Sequence, residues 1–252
     1  MKKTINLICP TSWQELSDKQ LRFVFSLIAD EATSVELRTL CLFKWNKLKV
    51  LSSPNLSQKT KPFMLKRGRE RFPVRSWQIT SALDHLRWLD DVPLFPVRIA
   101  SVGKHSALPA DFQEVPLSTF LYLDNLYQGY LSTKDETLLS EMLTIMYDST
   151  KIHATRAELI GVFYWFASLK QYFANMFPNF LQSASSPLNA GLGSLSGDIG
   201  KRLQDSMNAQ IRALTKGDIT KEKKVLAMDT WRAMFELDAQ AKEARELKAK
   251  YK

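Results

Sequence analysis

Cysteine is scarce in this chain: Cys9 and Cys41 are the only two. Two are too few for a disulfide framework, and they do not form a Cys-x-x-Cys metal motif. Cys41, beside Leu40, Leu42 and Phe43, reads as a small core residue of an apolar helix. Histidine is nearly as rare. His85, His105 and His153 have no second ligand at a spacing that suits zinc. His85 reads as structural within an apolar helix, and the other two as flanks of loops or helices. Asp90-Asp91 reads as a solvated helix end before a metal pair. Long apolar runs are missing too. LIGVFYWF over 159–166 falls far short of the ~18–20 residues of a membrane span. The apolar stretch between Lys3 and Pro10 is too short for a signal peptide. These absences predict a protein made and kept in a reducing cytoplasm, without membrane contact.

Phosphate-binding glycines are absent as well. SASSPLNAGLGSLSGDIG, from Ser183 to Gly200, lacks the third glycine of a dinucleotide fingerprint. Gly200-Lys201 is followed by Arg202, and no strand precedes the segment. Phosphate loops need a strand before them and a helix N-terminus after them. No Gly-x-Ser-x-Gly elbow supports a Ser-His-Asp triad, although triad members need not be close in sequence. The chain therefore offers no catalytic, cofactor or metal residue, and a protein that is not an enzyme is expected.

What is present is globular: 45% hydrophobic, 11% aromatic and 24% charged residues suffice for a packed core. The net charge of +9 favours nucleic acid or an acidic protein as neighbour, but many soluble proteins are equally basic. Helix starts recur. Ser12 with Glu15, Ser17 with Gln20, Thr33 with Glu36, and Thr155 with Glu158 have capping-box spacing, in which two side chains satisfy orphan backbone donors reciprocally. Apolar stripes at 3-4-3 spacing predict helices over 18–29 (Leu21, Val24, Phe25, Ile28) and 35–48 (Leu37, Leu40, Cys41, Leu48). Another is expected from Ile79 to Asp91. Pro116 opens a helix to Gly129 or Tyr130, and Ser132 or Thr133 caps its hairpin partner. The helix from Thr155 is apolar nearly all round between Ile160 and Phe166, as suits the centre of a bundle.

The strongest chemical signal is basic. Lys59, Lys61, Lys66, Arg67, Arg69, Arg71 and Arg75 are opposed only by Glu70, with Phe63, Phe72 and Trp77 interleaved. Residues 62–75 read as a β-hairpin with a charged tip, or as an irregular basic loop. Its Lys66, Arg67, Arg69, Arg71 and Arg75 could contact phosphates, pair with carboxylates on a protein partner, or be solvated. An extended stretch through Val97 and Ile99 is placed to add a strand.

After the Ser/Gly segment, Asp198 can cap a helix with Leu203, Met207, Ile211 and Leu214 in one stripe. Gly217-Asp218 breaks it. The last helix carries Val225, Met228, Trp231, Met234 and Leu237, then fades to AQAKEARELKAKYK, whose residues favour helix even when exposed. Met228, Trp231, Met234 and Phe235 form an apolar patch that must bury against something, either the N-terminal domain or a partner helix. The expected architecture is mainly α: a helical bundle with a minor β-hairpin or small sheet, plus a C-terminal helical arm. Its expected parts are a compact domain over 1–182, a linker over 183–200 and a helical hairpin or arm over 201–252.

The opening KKTINL..PTSWQELSDKQLRFV and the ending GDITKEKKVLAMDTWRAMFELDAQAKEARELKAKY resemble an uncharacterised protein family of tailed-phage and prophage structural modules. The resemblance covers the two ends best and carries no signature chemistry. It implies a virion or assembly role in the tail, the neck or tail assembly, exercised through protein contacts in the bacterial host cytoplasm. Partners would be other virion or assembly proteins, or copies of the same chain, since rings of identical subunits need complementary patches. The competing reading is a nucleic-acid-associated protein that uses the 59–75 cluster.

Overall fold

A computed structural model of the chain describes residues 6–53, 62–181 and 199–251. The expected linker over 183–200 lies outside them but for its last two residues. Lys59, Lys61 and the expected cap Asp198 also lie outside. The fold is mainly α, with a three-stranded antiparallel sheet and a separate two-stranded hairpin. The chain divides into two compact units, Met1–Pro93 and Leu94–Lys252. That differs from the expected division, because the helices after 201 belong to the same unit as those between 117 and 181. Among the described residues no helix is long and apolar enough to cross a membrane.

The first unit begins with a 3-10 turn, Trp13–Glu15, followed by α1 (Asp18–Ala29) and α2 (Ser34–Trp45). Ser17 with Gln20 and Thr33 with Glu36 form the expected capping boxes. Ser12 does not cap; the Glu15 carboxylate instead accepts from the Thr11 backbone N–H at 2.7 Å and from its hydroxyl at 2.8 Å. Trp13 pins the turn. Its Nε1 donates to the carbonyls of Trp88 and Asp91 at 3.1 and 3.0 Å, and its ring packs on Phe25 and Trp88.

The expected helix over 35–48 stops early. Asn46 caps α2, Lys47 takes φ +54°, and the chain leaves as strand β1 (Leu48–Ser52). Leu40, expected in the buried stripe, is exposed. β2 (Phe63–Arg67) and β3 (Glu70–Val74) complete a sheet in the order β1-β2-β3. The helix expected from 79 to 91 breaks into α3 (Ser76–Asp84) and a 3-10 turn, Arg87–Asp90. His85 sits at the break and is exposed, which corrects its reading as a structural residue of an apolar helix.

In the second unit the stretch through Val97 and Ile99 forms no strand. The small strands β4 (Ser101–Val102) and β5 (His105–Ser106) pair with each other. Then come α4 (Leu117–Thr133), α5 (Glu136–Met146) and α6 (Arg156–Met176). Lys134 closes α4 in the left-handed conformation, and Asp135 caps α5 in place of Ser132 or Thr133. The two helices pack closely at Gly129, where a Cβ would stand 3.1 Å from Leu138 Cδ1. α6 is the central helix, with Trp165, Phe166, Leu169 and Phe173 fully buried. Its Lys170 forms an ion pair with Asp124 of α4, and both side chains are largely shielded from water.

α7 (Pro178–Leu181) follows, then α8 (Ile199–Thr215), α9 (Glu222–Leu226) and α10 (Thr230–Lys250). The start of α10 is stitched to the segment before α4. Leu117 N–H donates to Met228 O at 2.8 Å, and Thr230 N–H and Oγ1 both donate to Val115 O at 2.9 and 2.7 Å. Farther along, Asp238 accepts from Asn179 Nδ2 and Phe180 N–H, each at 2.9 Å, which ties α10 to α7.

Candidate functional site

The basic hairpin exists and is wider than the sequence suggests. Gly68 takes φ +61° and, with Arg69, makes a two-residue tip of the type that places glycine first. β1 pairs on the far side of β2, so the hairpin is part of a three-stranded sheet. Residues opposite each other share a face, and neighbours along a strand alternate. One face therefore carries Leu48, Val50, Leu65, Phe72 and Val74, with Leu48 and Leu65 buried in the unit. Arg67 and Glu70, directly opposite each other, lie on this face too. Arg67 Nη1 also donates to Asn6 O at 2.9 Å.

The other face carries a row of cations. Lys49 is opposite Lys66, and Lys66 is opposite Arg71. Adjacent strands stand about 4.8 Å apart, so the row spans roughly 10 Å with one positive charge on each strand. Like charges directly opposite each other weaken strand pairing. Lys49 and Arg71 are exposed and Lys66 half-buried, and among the described residues no carboxylate lies within ion-pairing distance of the three. Of the residues expected to contact a partner or phosphate, the structure thus gathers Lys66 and Arg71 on one face. Arg69 stands at the tip, Arg67 is turned to the opposite face, and Arg75 precedes α3. Lys49 was missed because Leu48-Lys49-Val50 continues a helical stripe. The only cue was its alternation just past Asn46.

The C-terminal patch has a different outcome. Met234 is fully buried, and Trp231 packs edge-on against Tyr172, Phe173 and Phe177 at centroid distances of 5.8, 5.3 and 5.6 Å. Trp231 Nε1 donates to Asp111 O at 2.8 Å. The expected partner-helix anchor is corrected for these two residues: both are covered within their own unit, and Trp231 meets the aromatic surface of α6 and of Phe177, which joins it to α7. Met228 is half-buried and lends its carbonyl to Leu117. Phe235 touches Phe177 at 5.0 Å but remains 58% exposed, so it is the member of the patch least covered within the unit. Beyond Ala241 the burial ends. Every residue from Lys242 to Tyr251 is exposed, with Leu247 at 55% and Tyr251 at 87%.

Two other arrangements escaped the sequence. His105 Nε2 and Ser149 Oγ stand 3.3 Å apart at the edge of a cleft of about 900 Å³ that Glu114, Asp148, Ser149 and Lys151 help to line. Among the described residues no third group orients the imidazole, as a triad requires. In the first unit Trp45, Asn46, Lys47 and Arg67 border an open cleft of about 570 Å³, and Trp45 Nε1 finds no acceptor among the described residues. Asn46 holds the N-terminal segment there, accepting from Ile8 N–H at 2.8 Å and donating to Cys9 Sγ at 3.3 Å. Burial pushes the nearby Cys41 thiol up to about 12, and Cys9 adds to the shift.

The chain matches no protein-family model, no curated protein and no solved structure.

Proposed function

We propose that this protein is a non-enzymatic structural or assembly component of a tailed-phage-like particle, with a tail, neck or tail-assembly role. It acts through contacts with other virion or assembly proteins or with copies of itself, in the bacterial host cytoplasm during assembly and then in the virion. The family resemblance at the two ends of the chain motivates the particle. The observation that carries the mode of action is the distal part of α10. Its first half is locked to the body of the unit, yet every residue from Lys242 to Tyr251 is exposed. That part is held by helix propensity and by contacts such as Arg245 Nη1 to Asn179 Oδ1 at 3.3 Å. It offers Leu247 and Tyr251, at i and i+4, as one apolar strip in a charged surround. An exposed helix end of this kind suits a heterologous contact between subunits, in which one patch inserts into a different patch of its neighbour.

The test is light scattering coupled to size exclusion, on the purified protein alone and with the products of neighbouring genes. Assembly or capture is expected. Removal of residues 242–252 should abolish it and leave thermal unfolding of the remainder unchanged. A strict monomer that captures none of those products refutes the reading.

A further inference from the structure

The cation row on the three-stranded sheet is independent of α10 and lies in the other unit. We infer that Lys49, Lys66 and Arg71 form a docking face for the phosphate backbone of nucleic acid, bound without regard to base sequence. Three observations select this occupant. The charges are sorted: Glu70, the only carboxylate of the hairpin, faces the opposite side beside Arg67, which leaves the row uniformly positive.

The sheet is also unsuited to strand addition. β3 carries Pro73, which has no N–H to donate, and β1 has an irregular register between Val50 and Ser52, so both edges are blunted. These features favour the face over the edges as a docking surface. Finally, Lys66 stands on the central strand with a cation on either side, and Met64 and Pro73 are the next residues on the same face, away from the tip. Protein interfaces deplete charge at their centre and surround an apolar core with a polar rim, whereas nucleic-acid interfaces are polar and strongly positive throughout. Arg69 at the tip can extend the row toward a further phosphate.

Phosphate contacts of this kind release counterions, so affinity falls with salt at a slope set by the number of contacts. Three contacts on duplex DNA weaken binding by roughly 40-fold between 50 and 200 mM salt. The experiment is fluorescence anisotropy of a labelled random-sequence duplex with the full-length protein across that range. The wild type is compared with the triple variant Lys49→Gln/Lys66→Gln/Arg71→Gln. A matched control, Lys104→Gln/Lys223→Gln/Lys224→Gln, removes the same charge from exposed positions of the second unit, outside the distal part of α10. The row variant should lose most of the salt dependence and bind at least tenfold more weakly at 50 mM, while the control keeps the wild-type slope. Because the row repels itself, the row variant should melt no lower than the wild type. If it does melt lower, Lys66→Gln alone should reduce the slope by about one contact. The inference is overturned by absence of binding at 50 mM, by equal losses in row and control variants, or by preference for polyglutamate over the duplex. The last outcome would assign the face to an acidic protein.

Discussion

Truncating Trp231 to alanine separates a core residue from an interface residue. Its indole meets Tyr172, Phe173 and Phe177 within 5.8 Å and stands 6.2 Å from Phe235. The ring also satisfies the carbonyl of Asp111. Removing a buried tryptophan costs about 3–5 kcal/mol through lost transfer energy and the cavity left behind. Trp231 is partly exposed, so the lower end, about 3 kcal/mol, is the appropriate figure. Each kcal/mol moves the midpoint about 2–4 °C in domains of roughly 150–250 residues, so Trp231→Ala should melt about 6–12 °C lower. Trp77→Ala is the companion variant. That ring is 64% exposed, and its loss should stay within about 0.5 kcal/mol. Near-UV circular dichroism during heating reads both. A Trp231→Ala protein with an unchanged midpoint and weakened assembly would refute the placement of Trp231 in the core of its own unit.

The Lys170–Asp124 pair should behave as a buried ion pair. Lys170→Met strands the Asp124 carboxylate among apolar helices and should cost about 3–5 kcal/mol in urea unfolding, whereas Lys170→Met/Asp124→Leu should recover most of that loss. Equal destabilisation in the single and double variants would show that the charges are not the issue. The Cys41 thiol gives a pH dependence. Its ionisation rises from 9.0 to about 12 through burial, so the native state keeps a proton that the unfolded chain releases. The stability tied to this proton is intact below pH 9.0 and drains away as pH climbs toward 12. Denaturation at pH 8 and pH 10.5 should show a steeper alkaline loss for the wild type than for Cys41→Ala, and parallel losses would refute it.

Much of the helical layout is legible from local chemistry. Ser17–Gln20, Thr33–Glu36 and Thr155–Glu158 cap helices where their spacing says so, because a capping box closes within four residues and needs nothing from elsewhere. Ser12–Glu15 has the same spacing and fails, since Thr11 takes the Glu15 carboxylate first. The central position of α6 follows from its all-round apolarity, which only a surrounded helix can satisfy. Strand β1 was hidden, because Leu48-Lys49-Val50 becomes a strand only when β2 pairs beside it.

By itself, then, the sequence determined the helical class, three helix starts and the need of Trp231 for an apolar surface. These rest on hydrogen bonds and periodicities that span a few residues. Tertiary structure alone decided that Lys49 joins Lys66 and Arg71, that Arg67 turns away from them, and that Tyr172, Phe173 and Phe177 receive Trp231. It also decided that the chain divides after Pro93. Each of these depends on which distant segment supplies the opposing strand or face, and one-dimensional periodicity does not encode that choice.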